Sequence, residues 1–175
     1  MSHHSSKQIQ SSIRDWVSLD NFACPFAVTL TLKQRIDAQN GMHKSAVWLT
    51  PELASQNLRH FLNVLKKKIH GSSGKRYGRQ IPVLAVLEGG QTKRLHYHLL
   101  IDCPRDDLIE TFPQLVSETW RSTQWGYDQV DVTQADLGWV DYVTKLRDKP
   151  DFALAIDWMN CTDLAPATVT SDRWV

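Results

Sequence analysis

The chain has 175 residues, 42% of them apolar and 22% charged, with a formal net charge of +1. That is the make-up of one folded soluble domain and excludes a disordered tail or a multidomain machine. The near-neutral total hides a division, because through Arg105 there are 15 Lys and Arg against 6 Asp and Glu, whereas from Asp106 onward there are 5 against 13. An asymmetry of +9 against −8 points to an anionic partner for the first half, with the acids of the second half expected to face away from it.

Cys24, Cys103 and Cys161 are too few and too scattered for a disulfide framework or a cysteine zinc site. No apolar run approaches the roughly 20 residues that span a bilayer, and the first residues are polar, so the expectation is a cytoplasmic protein with no membrane partner. Residues 1–20 read as a leader, in which His3 and His4 mark a frayed end. Residues 21–160 read as the folded domain and 161–175 as a tail.

Phe26 to Lys33 (FAVTLTLK) is rich in β-branched residues and reads as a first strand, followed by a polar stretch. Thr50-Pro51-Glu52 supplies a cap, a first-turn proline and an early acid. Leu58, Phe61, Leu62, Leu65 and Ile69 recur at helical spacing, so a helix is expected over 51–69, ended by Gly71. Ile81 to Glu88 and Leu95 to Asp102 read as two strands joined by a hairpin loop at Gly89 to Arg94. A second helix is expected over 106–120, with Pro113 interrupting it or opening a new turn. A fourth strand follows at Tyr127 to Val132. A third helix should start from Thr133 as its cap and contain Leu137, Val140, Val143 and Leu146. A weak helical stretch lies near Phe152 to Trp158. The order β-α-β-β-α-β is the split βαβ, ferredoxin-like topology, an α+β fold with helices on one sheet face. That fold hosts many functions, so function must come from the site.

In Leu95-His96-Tyr97-His98-Leu99, alternation puts Tyr97 in an apolar row and turns His96 and His98 together to the other face. A closed hairpin sets Glu88 beside them. Two imidazoles and a carboxylate suit a divalent ion with open coordination positions; the plain alternative is a pair of exposed histidines on a half-solvated sheet. On the third helix the apolar residues cover one side and leave Tyr142 and Lys145 one turn apart on the other. A tyrosine beside a lysine suggests a nucleophile. A free phenol, with a pKa near 10, is only about one part in a thousand ionised at neutral pH and needs a polarised electrophile or a nearby cation. The plain alternative is a boundary tyrosine and a solvated lysine.

These features together, AVTLTL at Ala27 to Leu32, LHYHLLI at Leu95 to Ile101 and YVTKLRD at Tyr142 to Asp148, resemble the HUH single-tyrosine endonucleases of rolling-circle replication initiators over about Phe26 to Asp148. The resemblance implies nicking and joining of single-stranded DNA at an origin or hairpin. Glu88, His96 and His98 would hold Mn²⁺ or Mg²⁺, Tyr142 would form a 5′-phosphotyrosine, and Lys145 would position the phenol or offset phosphate charge. Leu146 stands where a two-tyrosine mechanism would need its second tyrosine. The order of histidines before tyrosine favours an initiator over a relaxase, and the Tyr-x-x-Lys pattern favours it over a transposase. With no Gly-rich nucleotide loop, unwinding falls to a host helicase, and a plasmid- or phage-encoded bacterial protein is implied.

DNA contact is expected on KKKIHGSSGKRYGR, through Lys66, Lys67, Lys68, Lys75, Arg76 and Arg79, as a pliable basic loop, and on Lys93 and Arg94 beside the metal hairpin. Cations at a helix C-terminus are also favourable without DNA. Two other classes stay open: a noncatalytic RRM-like module with the same element order, and a metal-dependent hydrolase that uses water.

Overall fold

Alternation in the first strand is realised as a two-faced ribbon. In a computed structural model that describes residues 11, 22–40, 43–90, 93–136, 138–139 and 152–162, β1 (Pro25–Leu32) sends Phe26, Val28, Leu30 and Leu32 into the core. Its other face carries Thr29 and Thr31. A hairpin of β2 (Arg35–Asn40) and β3 (His43–Trp48) follows and forms a separate two-stranded sheet. The expected polar stretch is therefore a β-hairpin. Its residues are largely polar, with Ile36 and Val47 paired across it and packed against the core.

Helix α1 (Pro51–Arg76) begins at Thr50, whose Oγ1 accepts from the Leu53 amide at 3.3 Å. Its buried face is the expected one, Leu58, Phe61, Leu65 and Ile69. The helix breaks at Gly71, which takes the left-handed φ of +58° that side chains resist, and a second helical stretch runs on to Arg76. The basic segment expected as a pliable loop is thus largely helical.

Strands β4 (Val83–Glu88) and β5 (His96–Asp102) are the central hairpin. Pro113 lies in the first turn of α2 (Phe112–Arg121), after a separate 3-10 turn at Asp106–Leu108. Proline lacks the amide that an interior position must donate, so the single helix expected over 106–120 is split there. Strand β6 (Gly126–Gln134) closes the sheet. A Cβ at Gly126 would stand 2.0 Å from the Trp120 carbonyl oxygen, so the turn from α2 into β6 admits only glycine. Thr133 lies inside β6 and caps no helix; the cap is Asp136, whose Oδ1 accepts from the Trp139 amide at 3.0 Å. The rest of the third helix, with Leu137, Val140, Val143 and Leu146, lies outside the described residues. A short helix α3 (Phe152–Ala155) falls within the expected weak helical stretch.

The four-stranded sheet has the order β4-β5-β1-β6 with every pair antiparallel, which is the ferredoxin-like arrangement. Its core face packs against α1 and α2 through Phe26 on Phe112 (4.9 Å between ring centres) and, between the helices, Phe61 edge-on to Trp120 at 5.4 Å. Each such fully buried side chain contributes about 1.5–3 kcal/mol. The segment after α3 runs along the outer edge of β4, where Asp157 N–H donates to the Ala85 carbonyl and Thr162 N–H to that of Val83. Among the described residues no helix is long and apolar enough to cross a membrane.

Candidate metal centre

Register places the two histidines. His96 pairs with Glu88 on β4 and Thr31 on β1, and His98 pairs with Val86 and Thr29. Directly opposed residues share a sheet face, so Glu88, His96, His98 and the two threonines stand together on the face away from α1 and α2. The two imidazole rings meet edge to face at 5.0 Å. One ligand atom from each of Glu88, His96 and His98 falls within 4.8 Å of the others, and His98 Nε2 lies 3.8 Å from a Glu88 oxygen.

The remaining ring nitrogens are engaged from behind. His96 Nδ1 lies 2.8 Å from the Arg94 carbonyl oxygen. A carbonyl can only accept, so Nδ1 carries the proton and the neutral ring has its lone pair on Nε2. His98 Nδ1 lies 3.2 Å from Thr29 Oγ1, which turns its Nε2 toward Glu88. Orienting contacts on the rear nitrogen are the usual support of a metal-binding imidazole. Ligand atoms about 2.1 Å from a shared ion stand roughly 3–4 Å apart, so closing on one needs only small side-chain rotations. The donor set, two imidazoles and one carboxylate with space for further ligands, fits a divalent ion.

The backbone around the centre is held by its own glycine turn. Gly89 and Gly90 have φ of +97° and +131°, and Gly90 N–H donates to the Lys93 carbonyl at 2.9 Å. At the same end Gln34 clamps the start of β5, its Oε1 accepting from Leu95 N–H and its Nε2 donating to the Leu32 carbonyl. Beneath the histidines, Tyr97 is fully buried in the core face as alternation requires. Its hydroxyl donates to Asp157 Oδ2 at 2.9 Å, and that carboxylate also receives Ser55 and Asn160. Burial first, and then the neighbouring Asp157 charge, push the Tyr97 phenol well above its ordinary range.

A family model described as replication-associated protein ORF2 matches residues 25–151. The chain belongs to this family. Searches of curated proteins and of solved structures returned no match. Members of the replication-associated protein ORF2 family are replication proteins, so DNA is the implied partner.

Within this family member, the residues expected at the site fall into three groups. Glu88, His96 and His98 converge, with Lys93 and Arg94 in the adjoining turn, both exposed. The basic segment lies elsewhere. It follows the α1 end that meets the far end of the sheet, where Arg105 Nη1 donates to the Ile69 carbonyl and Asp102 pairs with Pro25. Lys66 is hydrogen-bonded to Gln80 and Lys68 to Thr119 of α2; Lys67, Arg76 and Arg79 are exposed. Lys75 belongs to α1. Tyr142 and Lys145 form the third group and lie outside the described residues. One acid of the second half is on the site face: Asp131 pairs with Thr29, in line with His98, and is exposed. The expectation that those acids all turn away is corrected there, because β6 joins the sheet directly beside β1. Sequence reasoning did not single out Thr29, the Arg94 carbonyl, Gln34 or Asp157; for Thr29 the signal was present, since the period of two in AVTLTL puts both threonines on the histidine face.

Proposed function

We propose that the chain nicks and rejoins single-stranded DNA at an origin or hairpin, as a single-tyrosine HUH endonuclease of the rolling-circle initiator kind. The observation that carries this reading is the convergence of Glu88, His96 and His98, with both imidazoles steadied from behind, in a member of a replication protein family. A divalent ion held there, Mn²⁺ or Mg²⁺, would polarise the scissile phosphate. Thr29 and the Arg94 carbonyl fix the imidazoles, while Lys93 and Arg94 offset the charge of neighbouring phosphates. Tyr142 attacks phosphorus, the bond from phosphorus to the 3′-oxygen breaks, and that oxygen leaves as a 3′-hydroxyl with a proton, while the phenol proton is lost to water. The product is a 5′-phosphotyrosine that a DNA 3′-hydroxyl can reverse, so no nucleotide cofactor is needed. Lys145 positions the phenol or offsets charge at the phosphate. Lys66, Lys67, Lys68, Lys75, Arg76 and Arg79 hold DNA farther from the centre, a host helicase unwinds it, and the setting is the bacterial cytoplasm on a plasmid or phage replicon.

The test is a denaturing gel after incubation with single-stranded origin-like DNA and Mn²⁺. A covalent adduct that is lost in Tyr142→Phe and in His98→Ala is the expected result. Free cut ends that survive Tyr142→Phe would instead mark a hydrolase using water, and binding without cutting would mark a noncatalytic module.

A further inference from the structure

Beside the metal centre, Arg94 and Tyr127 form a stacked pair to which no role has been given. The Arg94 guanidinium carbon lies 4.3 Å from the centre of the Tyr127 ring, and Nη1 donates to the Leu32 carbonyl at 3.3 Å. A surface arginine is ordinarily solvated and mobile, whereas this one is held from two sides with its other N–H groups left for a ligand. Tyr127 is 37% exposed, one of the few large apolar side chains at the surface. It sits at the start of β6, next to Gly126, which pairs with Leu32 at the triad's end of the sheet. The strand order β5-β1-β6 puts β6 two strand spacings, about 10 Å, from β5, roughly the reach of one or two nucleotides. The same Arg94 presents its carbonyl to His96, so whatever binds its guanidinium is set relative to the metal ligands.

We propose that Arg94 and Tyr127 are a nucleotide-binding step for the single strand flanking the scissile phosphate, the Tyr127 ring stacking a base and the Arg94 guanidinium taking the adjoining phosphate. This rests on the single-strand reading above. The charges around the pair set its polarity. Asp128 and Asp131 are exposed on β6, so that edge repels phosphate and suits the uncharged base, while Lys93 and Arg94 make the turn side the phosphate side. Stacking tolerates any base, so this step contributes affinity and placement without reading sequence.

The experiment uses the full chain in EDTA, with fluorescence anisotropy of a labelled 20-nucleotide mixed-sequence single strand, and separately an iododeoxyuridine-substituted strand for photocross-linking. Tyr127→Ala and Arg94→Ala should each weaken binding by about 5- to 50-fold, Tyr127→Phe should stay within about twofold, and the double variant should fall short of the product of the singles because the two groups act as one. The wild-type cross-link should map to the peptide holding Tyr127. Binding within twofold of wild type in both alanine variants, or a cross-link mapping only elsewhere, overturns the step while leaving the endonuclease reading intact if wild type still forms its adduct. No single-strand binding by wild type overturns both.

Discussion

A Cβ built on Gly89 would lie 2.5 Å from the carbonyl oxygen of Arg94, the same oxygen on which His96 Nδ1 rests. The closeness of that turn is therefore part of how the imidazole is aimed. Gly89→Ala meets both a positive φ and a backbone clash, so the carbonyl must move and the ring with it. Expected is a loss of about 10- to 100-fold in Mn²⁺ affinity, measured by isothermal titration, with the far-ultraviolet circular dichroism of the sheet and helices retained.

Thr29 tests the other imidazole. Thr29→Val keeps the shape of the strand and removes the hydroxyl 3.2 Å from His98 Nδ1. Metal affinity should fall by about tenfold, and Thr29→Ser should recover most of it. Binding of single-stranded DNA in EDTA should be the same in all three proteins, since nothing in this substitution touches the Lys93 and Arg94 turn.

Tyr97 ties the histidine strand to the segment beyond α3. Tyr97→Phe leaves the Asp157 carboxylate one donor short and should lower stability by about 1–3 kcal/mol at pH 7 in denaturant unfolding. The direction with pH follows from the raised phenol. In the unfolded chain Tyr97 ionises near its ordinary value of about 10, while in the folded chain it stays protonated to higher pH. Ionisation thus favours the unfolded wild type above about pH 10, and its advantage over Tyr97→Phe should shrink as pH climbs past that point. An advantage that grows there would contradict the buried phenol.

The basic segment and the turn should separate in function. Arg76→Ala and Arg79→Ala should each reduce the salt slope of single-strand binding by about 0.7 and leave the cleavage rate at saturating DNA unchanged. Lys93→Ala, beside the centre, should lower both. Lys68→Ala should in addition cost about 1 kcal/mol of stability, because its ammonium bridges α1 to Thr119 of α2 at 2.9 Å.

What could be read in advance follows physical range. Period-two and period-3.6 patterns are local, so the four strands, the α1 face and the pairing of Glu88 with the histidine strand were all legible from neighbouring residues. The β2-β3 hairpin escaped because RIDAQN and HKSAVW bury little beyond Ile36 and Val47; cross-strand pairing stabilises it, and no apolar alternation announces it. The cap moved from Thr133 to Asp136 because β6 gains two more pairs with β1, Ala27 with Thr133 and Phe26 with Gln134. In the site, ligand identity was visible in residue types. Its support was not, since the Arg94 group involved is a backbone carbonyl and Asp157 lies 60 residues from Tyr97.

The segment that follows α3 also decides which border of the sheet is vulnerable. Asp157, Cys161 and Thr162 occupy the hydrogen-bonding groups of Val83 and Ala85, so the nearly unbroken apolar strand VLAVLE is never presented as an open template. The opposite border, β6, has no strand beyond it among the described residues and is written in polar letters, GYDQVDVTQ, with exposed acids that discourage a second chain from adding there. Shortening the protein to end before Ile156 would uncover a sticky hydrophobic margin, and such a fragment should self-associate into β-rich aggregates.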